Sequence, residues 1–201
     1  MAEGHSYYNL RGISVSPDNT MASFGVDTLS RRKYTIYIKN LVTGKLMKEV
    51  IPLTTGGATW ANDNKTIFYS KKDEQTLRSN QIFKHTLGQD PTDDVNVFTE
   101  EDETFNTFVY KTKSKKYIVI GSSSTLSSEY QILDANSPNQ PFKIFQTRER
   151  GLEYSIAHYQ SSFYIVTNKD GATNFKLMTT PEDNTSKAVS YTHLTLPTTA
   201  I

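Results

Sequence analysis

The sequence predicts an all-β chain: a partial β-propeller of about four consecutive four-stranded antiparallel blades, the last of them incomplete. Three observations carry this. Tyr, Phe and Trp make up 11% of the 201 residues and sit with Ile and Val in short alternating runs, the pattern of side chains that pack on a pleated surface. Outside the extreme C-terminus, no segment sustains the i, i+3, i+4, i+7 apolar stripe of an amphipathic helix. The same strand–turn–strand register also returns four times. Its second strands begin at Met21, Thr66, Tyr117 and Phe163, steps of 45, 51 and 46 residues. Short strands repeated at that period are the signature of propeller blades.

Each unit follows one grammar. The first, residues 12–51, opens on Ile13-Ser14-Val15 and turns at Ser16-Pro17-Asp18-Asn19. There, proline presets φ, and Asp and Asn bond back to their own backbone. Met21-Ala22-Ser23-Phe24 and Tyr34–Lys39 are the next strands. A hairpin over Asn40-Leu41-Val42-Thr43-Gly44-Lys45 leads to the outer strand Leu46–Ile51. The second unit, 58–100, places strands at Ala58–Trp60, Thr66–Ser70, Gln81–His85 and Val95–Thr99. The third, 104–147, places them at Phe105–Tyr110, Tyr117–Gly121, Glu129–Leu133 and Phe142–Gln146. The fourth, 153–181, gives Tyr154–Ala157, a turn at His158–Ser161, Phe163–Thr167 and Asn174–Met178, and then lapses after Thr180-Pro181 without an outer strand. Residues 1–187 are therefore expected to be a propeller fragment with two open faces, a form prone to self-association. Residues 188–201 are expected to be a non-native tail, because Val189–Thr198 has no counterpart in the other units and is similar to a translated sequencing adapter.

Bulk properties exclude several functions. A formal net charge of +1, from 22 basic and 21 acidic residues, leaves no electrostatic footprint for nucleic acid or an anionic membrane. No apolar run reaches the roughly 20 residues that span a bilayer. Without cysteine there is no disulfide, thiolate metal site or thiol nucleophile. The compartment is unassigned: the lack of cysteine and of an export signal favours the cytoplasm, and the periplasm stays open if Met1 is internal to a longer chain.

The residues that close these units resemble the N-terminal propeller of the prolyl oligopeptidase family of serine peptidases, and within it the oligopeptidase B (protease II) branch. The matching segments are Met1–Tyr8, Val15-Ser16-Pro17-Asp18, Thr59-Trp60-Ala61-Asn62-Asp63, Gln81–Gly88 and Ser128-Glu129-Tyr130. The resemblance implies four blades of a seven-bladed ring, and a parent that cleaves short peptides after Arg or Lys. In such a parent the propeller covers the active site and the Ser-Asp-His machinery lies in a separate α/β-hydrolase domain. The chain is expected to stop before that domain, to contain no catalytic residue, and to need neither metal nor cofactor. The alternative is a non-catalytic propeller whose loops hold a protein partner.

The remaining candidates read as structural. Gly121-Ser122-Ser123-Ser124-Thr125 lacks the second glycine of a nucleophile elbow and is read as an inter-strand loop. His5, His85 and His158 lack the spacing of metal ligands, His85 being read as a structural hydrogen bonder, and His193 is assigned no role. Glu100-Glu101-Asp102-Glu103 could draw basic peptides electrostatically but reads as a solvated loop. Arg31-Arg32-Lys33 and Lys111–Lys116 read as hairpin-tip charges, and Asp90, Asp93 and Asp94 do not match an EF-hand loop. Trp60, Tyr69 and Phe83 are expected to pack between blades.

Overall fold

The computed structural model describes residues 2–185 and the backbone of 192–193. Its strands are β1 Asn9–Val15, β2 Met21–Asp27, β3 Tyr34–Asn40, β4 Leu46–Trp60, β5 Thr66–Lys72, β6 Ser79–Thr86, β7 Val95–Thr99, β8 Asn106–Lys111, β9 Tyr117–Ser123, β10 Ser128–Asp134, β11 Lys143–Gln146, β12 Tyr154–Tyr159, β13 Ser162–Thr167, β14 Lys176–Pro181 and β15 Thr192–His193. Two 3-10 turns, Pro91–Asp93 and Lys169–Gly171, are the helical content of the described residues, and neither could cross a membrane. Every strand pairing is antiparallel and joins neighbours in sequence, so the chain is all-β and built from up-and-down meanders, as a propeller fragment requires.

Turn chemistry repeats with the strands. Each first hairpin ends on a residue held at positive φ: Asn19 at 62°, Asn64 at 61°, Lys115 at 60° and Gln160 at 53°. In the first, Asn19 N–H donates to the Ser16 carbonyl at 2.9 Å and Asp18 accepts from the Ser16 hydroxyl at 2.6 Å. In the third, Lys115 N–H donates to the Thr112 carbonyl at 2.8 Å. One strand pair plus one left-handed residue sets the same reversal in every unit.

Three apolar layers lie between successive units. Ile36, Ile38 and Ile51 of the first meet Trp60, Ile67 and Tyr69 of the second. Phe68 of the second meets Ile118 and Leu133 of the third, and Val119, Tyr130 and Phe145 of the third meet Tyr154, Phe163, Ile165 and Met178 of the fourth. Alternation along each strand supplies both faces, so an inner unit is buried on two sides. The end faces are different. The cross-strand row Phe24–Tyr37–Val50 and the edge residues Leu10 and Val15 look away from the second unit, and Tyr159 and Val166 look away from the third. Leu10, Val15, Val50, Tyr159 and Val166 are exposed.

Several predicted boundaries move. Leu46–Ile51 and Ala58–Trp60, expected as an outer and an inner strand, are the two ends of the continuous β4, which ties the first two meanders into one seven-stranded sheet. Its bend occurs where Leu53 (φ 58°) and Gly56 (φ 92°) leave the extended region. The strands beside it carry glycine where it approaches: a Cβ on Gly25 would lie 2.3 Å from the Gly56 Cα, and one on Gly12 2.3 Å from the Gly56 oxygen. Thr54 fixes the bend, accepting from Gly56 N–H at 3.0 Å and donating to the Tyr34 carbonyl at 3.0 Å. The turn expected at His158–Ser161 starts two residues later, and His158 is a buried strand residue. Asn174 and Phe175 lie in a loop before β14, with Phe175 at φ 60°. The fourth unit does have an outer strand: Thr192 and His193, expected in a non-native tail, pair with Thr179 and Met178. The free edge of β14 offers backbone donors and acceptors that the following chain satisfies. The rest of the expected tail, 188–191 and 194–201, lies outside the described residues.

Candidate functional site

Four polar constellations stand out against this framework, each assembled from strands or turns far apart in sequence. The first lies where the connection after β7 meets the connection after β11. Glu100 is buried, and its carboxylate takes both terminal nitrogens of Arg148, at 2.5 and 3.2 Å. Arg148 also lies 3.7 Å from Glu129 and places its guanidinium 3.7 Å over the Phe105 ring. Burial pushes the Glu100 carboxyl upward, but the hydrogen bond from Arg148 and the Asp102 backbone N–H outweigh it and leave its pKa below the ordinary value. Arg78 straps the same connection by donating to the carbonyls of Glu100, Asp102 and Phe105 at 2.8 to 3.1 Å. The acidic run is thus divided. Glu101, Asp102 and Glu103 are exposed as expected, whereas Glu100 is not a solvated loop residue, because an arginine 48 positions away neutralises it.

The second constellation is buried in the second unit. His85 Nδ1 lies 2.6 Å from Asp94 Oδ1, and the Tyr69 hydroxyl donates to Asp94 Oδ2 at 2.8 Å. Burial and the Asp94 charge push the Tyr69 hydroxyl far up, so it stays a neutral donor. Asp90 caps the neighbouring 3-10 turn through Thr92 N–H. The reading of His85 as a structural hydrogen bonder, and of Trp60, Tyr69 and Phe83 as packing residues, agrees with these positions.

The third joins the third and fourth units. His158, side chain 1% exposed, has Nδ1 at 2.8 Å from the Ser114 hydroxyl and Nε2 at 2.9 Å from Glu182. Lys116 donates to both Glu182 oxygens at 2.7 Å, and the Tyr117 hydroxyl donates at 3.2 Å. Lys116 above all, with His158, holds the Glu182 carboxyl below the ordinary value. An ionised carboxylate only accepts, so Nε2–H donates to Glu182 while Nδ1 faces the Ser114 hydroxyl. Ser114 lies on an exposed turn with Thr112 Oγ1 2.9 Å away. The cluster is a polar seam between two units, invisible to spacing arguments because its contacts join residues 24 to 66 positions apart.

The fourth is a hollow of about 410 Å³ bordered by three successive units: Ser14–Pro17 and Asn19, then Thr59 and Trp60, then Tyr110, Lys111 and Lys115. Trp60 is pinned by its indole N–H, which donates to the Ser14 carbonyl at 3.0 Å. Lys111 is half-buried, not the hairpin-tip charge expected, while Lys113 and Lys115 are exposed.

The other sequence candidates stay apart. His5 is exposed with its ring 6.1 Å from Tyr8. Arg31 and Arg32 are exposed on a hairpin. Gly121, Ser122 and Ser123 belong to strand β9, not to a loop, and only Ser124 and Thr125 enter the hairpin. Gly121 is needed for the close approach of Phe108, whose ring would lie 2.4 Å from a Cβ. Among the described residues no group of three His, Asp or Glu side chains is arranged to hold a metal ion.

Comparison with known proteins agrees with the architecture. The chain is 39% identical over 187 residues to Dipeptidyl aminopeptidase BI of Pseudoxanthomonas mexicana, covering 93% of this chain and 26% of that protein. It is 33% identical over 192 residues to Protease 2 of Moraxella lacunata, covering 94% and 28%. The structure of oligopeptidase B from Leishmania major superposes on 96% of this chain and 27% of its own, with a TM-score of 0.89 at 29% identity. The chain thus spans about a quarter of the length of the curated relatives it matches. The family model for the prolyl oligopeptidase N-terminal beta-propeller domain matches residues 1–197. The repeated meanders, their interleaved apolar layers and this match place the chain in the prolyl oligopeptidase family, in its N-terminal propeller domain.

Proposed function

We propose that this chain forms four blades of a seven-bladed propeller that gates the active site of a serine oligopeptidase, an enzyme hydrolysing short peptides after Arg or Lys. The observation that carries the reading is the family match over residues 1–197. Relatives called Protease 2 and oligopeptidase B support a peptide-hydrolysing parent, and the preference for Arg or Lys is what the family resemblance implies. The exposed apolar end faces support it too, since a ring that continued through further blades would cover Leu10, Val15 and Val50 on one side and Tyr159 and Val166 on the other. In this reading the acyl transfer belongs to a hydrolase domain outside residues 1–201. The propeller acts by exclusion: an unfolded peptide threads to the enclosed site, and a folded protein does not.

A second reading concerns specificity alone. The 39% identity to a dipeptidyl aminopeptidase favours removal of dipeptides from a free amino terminus. One experiment separates them. The full-length product of the gene encoding this segment is assayed with a blocked peptidyl-Arg-coumarin, a dipeptidyl-coumarin with a free amine, and a folded protein bearing basic residues. The proposal expects turnover of the blocked Arg substrate and sparing of the folded protein. Preference for the free dipeptidyl substrate replaces the specificity, and equal cleavage of the folded protein refutes the gate. The 201-residue chain alone is expected to release no coumarin.

A further inference from the structure

The hollow beside Trp60 has a charge arrangement that packing alone does not explain. Lys111 leaves the strand end of β8 and is half-buried, with Nζ donating to Asn62 Oδ1 at 2.8 Å. Asn62 is itself clamped: its amide donates to the Lys115 carbonyl and to Asn136 Oδ1, both at 3.0 Å, and its backbone N–H donates to the Ala135 carbonyl at 2.8 Å. The ammonium is therefore positioned by a built contact between two units, not left to wander on a flexible stem. An ammonium has three donors, and Asn62 takes one.

What the site lacks is a counterion. Among the described residues, no carboxylate lies within 4 Å of Lys111 or Lys115. The acidic neighbour Asp63 is occupied by its own turn, accepting from Lys65 N–H, Thr66 N–H and the Thr66 hydroxyl at 3.0, 2.9 and 2.6 Å. Burial first and the Lys115 charge second lower the Lys111 pKa, with Asp63 opposing too weakly to cancel them. Lys111 and Lys115 place two like charges on the lining of one hollow, an arrangement that favours an anion.

We propose that this hollow is an oxyanion-binding site, in which Lys111 and Lys115 hold a carboxylate or phosphate group beside the buried Trp60. The site needs no partner domain and does not depend on the peptidase reading. A peptide's C-terminal carboxylate and a free phosphate share the required chemistry.

Trp60 is the single tryptophan of the chain and, though buried, borders the hollow, so its fluorescence reads a change in that environment. The 201-residue chain is titrated with inorganic phosphate, with an N-acetylated peptide ending in a free carboxylate, and with the same peptide as its C-terminal amide. A saturable change with phosphate alone points to a phosphoryl source, with the free-acid peptide alone to a peptide end, and either supports the site. Lys111→Gln should weaken binding about tenfold or more, the loss of one charge-assisted hydrogen bond. Lys115→Gln should weaken it less, and Lys113→Gln, which removes the same charge outside the hollow, should change it by less than about twofold. Circular dichroism of each variant separates lost binding from lost folding. No saturable response, equal binding of the amide peptide, or unchanged affinity in a folded Lys111→Gln and Lys115→Gln double variant overturns the proposal.

Discussion

Replacing Arg148 by Ala should destabilise the chain more than any other single surface-reaching change. Glu100 has a side chain only 5% exposed, and its two oxygens are held by the two terminal nitrogens of Arg148. Truncating the arginine leaves a buried carboxylate without its cationic partner, with Asp102 N–H among its remaining contacts. Breaking such a pair costs about 3 kcal/mol, and loss of the guanidinium stacked on Phe105 adds about 0.5 to 1 kcal/mol. For a chain of this size that corresponds to a fall of roughly 7 to 15 °C in melting temperature. The pH dependence carries the sharper test. In the native chain the Glu100 carboxyl lies below its ordinary value of 4.5. Its contribution is thus complete above that value and lost as pH falls through the lower folded value. Without Arg148, burial dominates and the folded value rises above the ordinary one. The variant should therefore regain part of its deficit on acidification from pH 7 toward pH 5, while the parent chain gains nothing from this group. Glu100→Gln in the Arg148→Ala background should recover about half of the loss, since the neutral amide removes the stranded charge. Thermal melts by circular dichroism across pH 5 to 8 measure all three chains. A loss below about 1 kcal/mol, or no recovery in the double variant, would show that the pair is not the neutralising partner argued from its geometry.

Three further outcomes follow from the packing and the seam. Gly25→Ala should cost about 1 to 3 kcal/mol by thermal melting, because its Cβ overlaps backbone of the β4 bend that cannot yield like a side chain; an unchanged melt would mean that bend is soft. Thr54→Val should cost about 1 to 3 kcal/mol in urea unfolding, as Gly56 N–H and the Tyr34 carbonyl lose a buried partner. Glu182→Gln should cost about 1 kcal/mol at neutral pH. Because the Glu182 carboxyl is depressed mainly by Lys116, that difference should vanish as pH falls below its folded value. A difference that persists in acid would assign Glu182 a purely steric role.

The periodic elements were legible because their causes are local. Alternation of Ile, Tyr and Phe set the strands, and Val95–Thr99 emerges with the boundaries expected. The family too was legible, from Thr59–Asp63 and Gln81–Gly88 in their order along the chain. The errors occur where a neighbour from another unit overrides a local signal. His158 reads as a turn residue beside Tyr159 and Gln160, yet the β13 partner Phe163 extends the strand through it. Lys111 reads as one of a run of exposed lysines, yet Asn62 of the preceding unit draws it into a hollow. The β4 bend escaped notice because Pro52, Gly56 and Gly57 are ordinary loop punctuation, and only the contact of Gly25 with Gly56 makes a continuous strand of them.

By itself the sequence determined that this protein is a row of short antiparallel strands with a repeated reversal, since those properties depend on side-chain alternation and on φ at single residues. Tertiary structure alone decided which charges face water. Glu100, Lys111, Glu182 and His158 each owe their environment to a residue 24 to 66 positions away. Desolvation and Coulomb attraction act through space between units, and no local pattern of residues encodes the distance at which two units will meet.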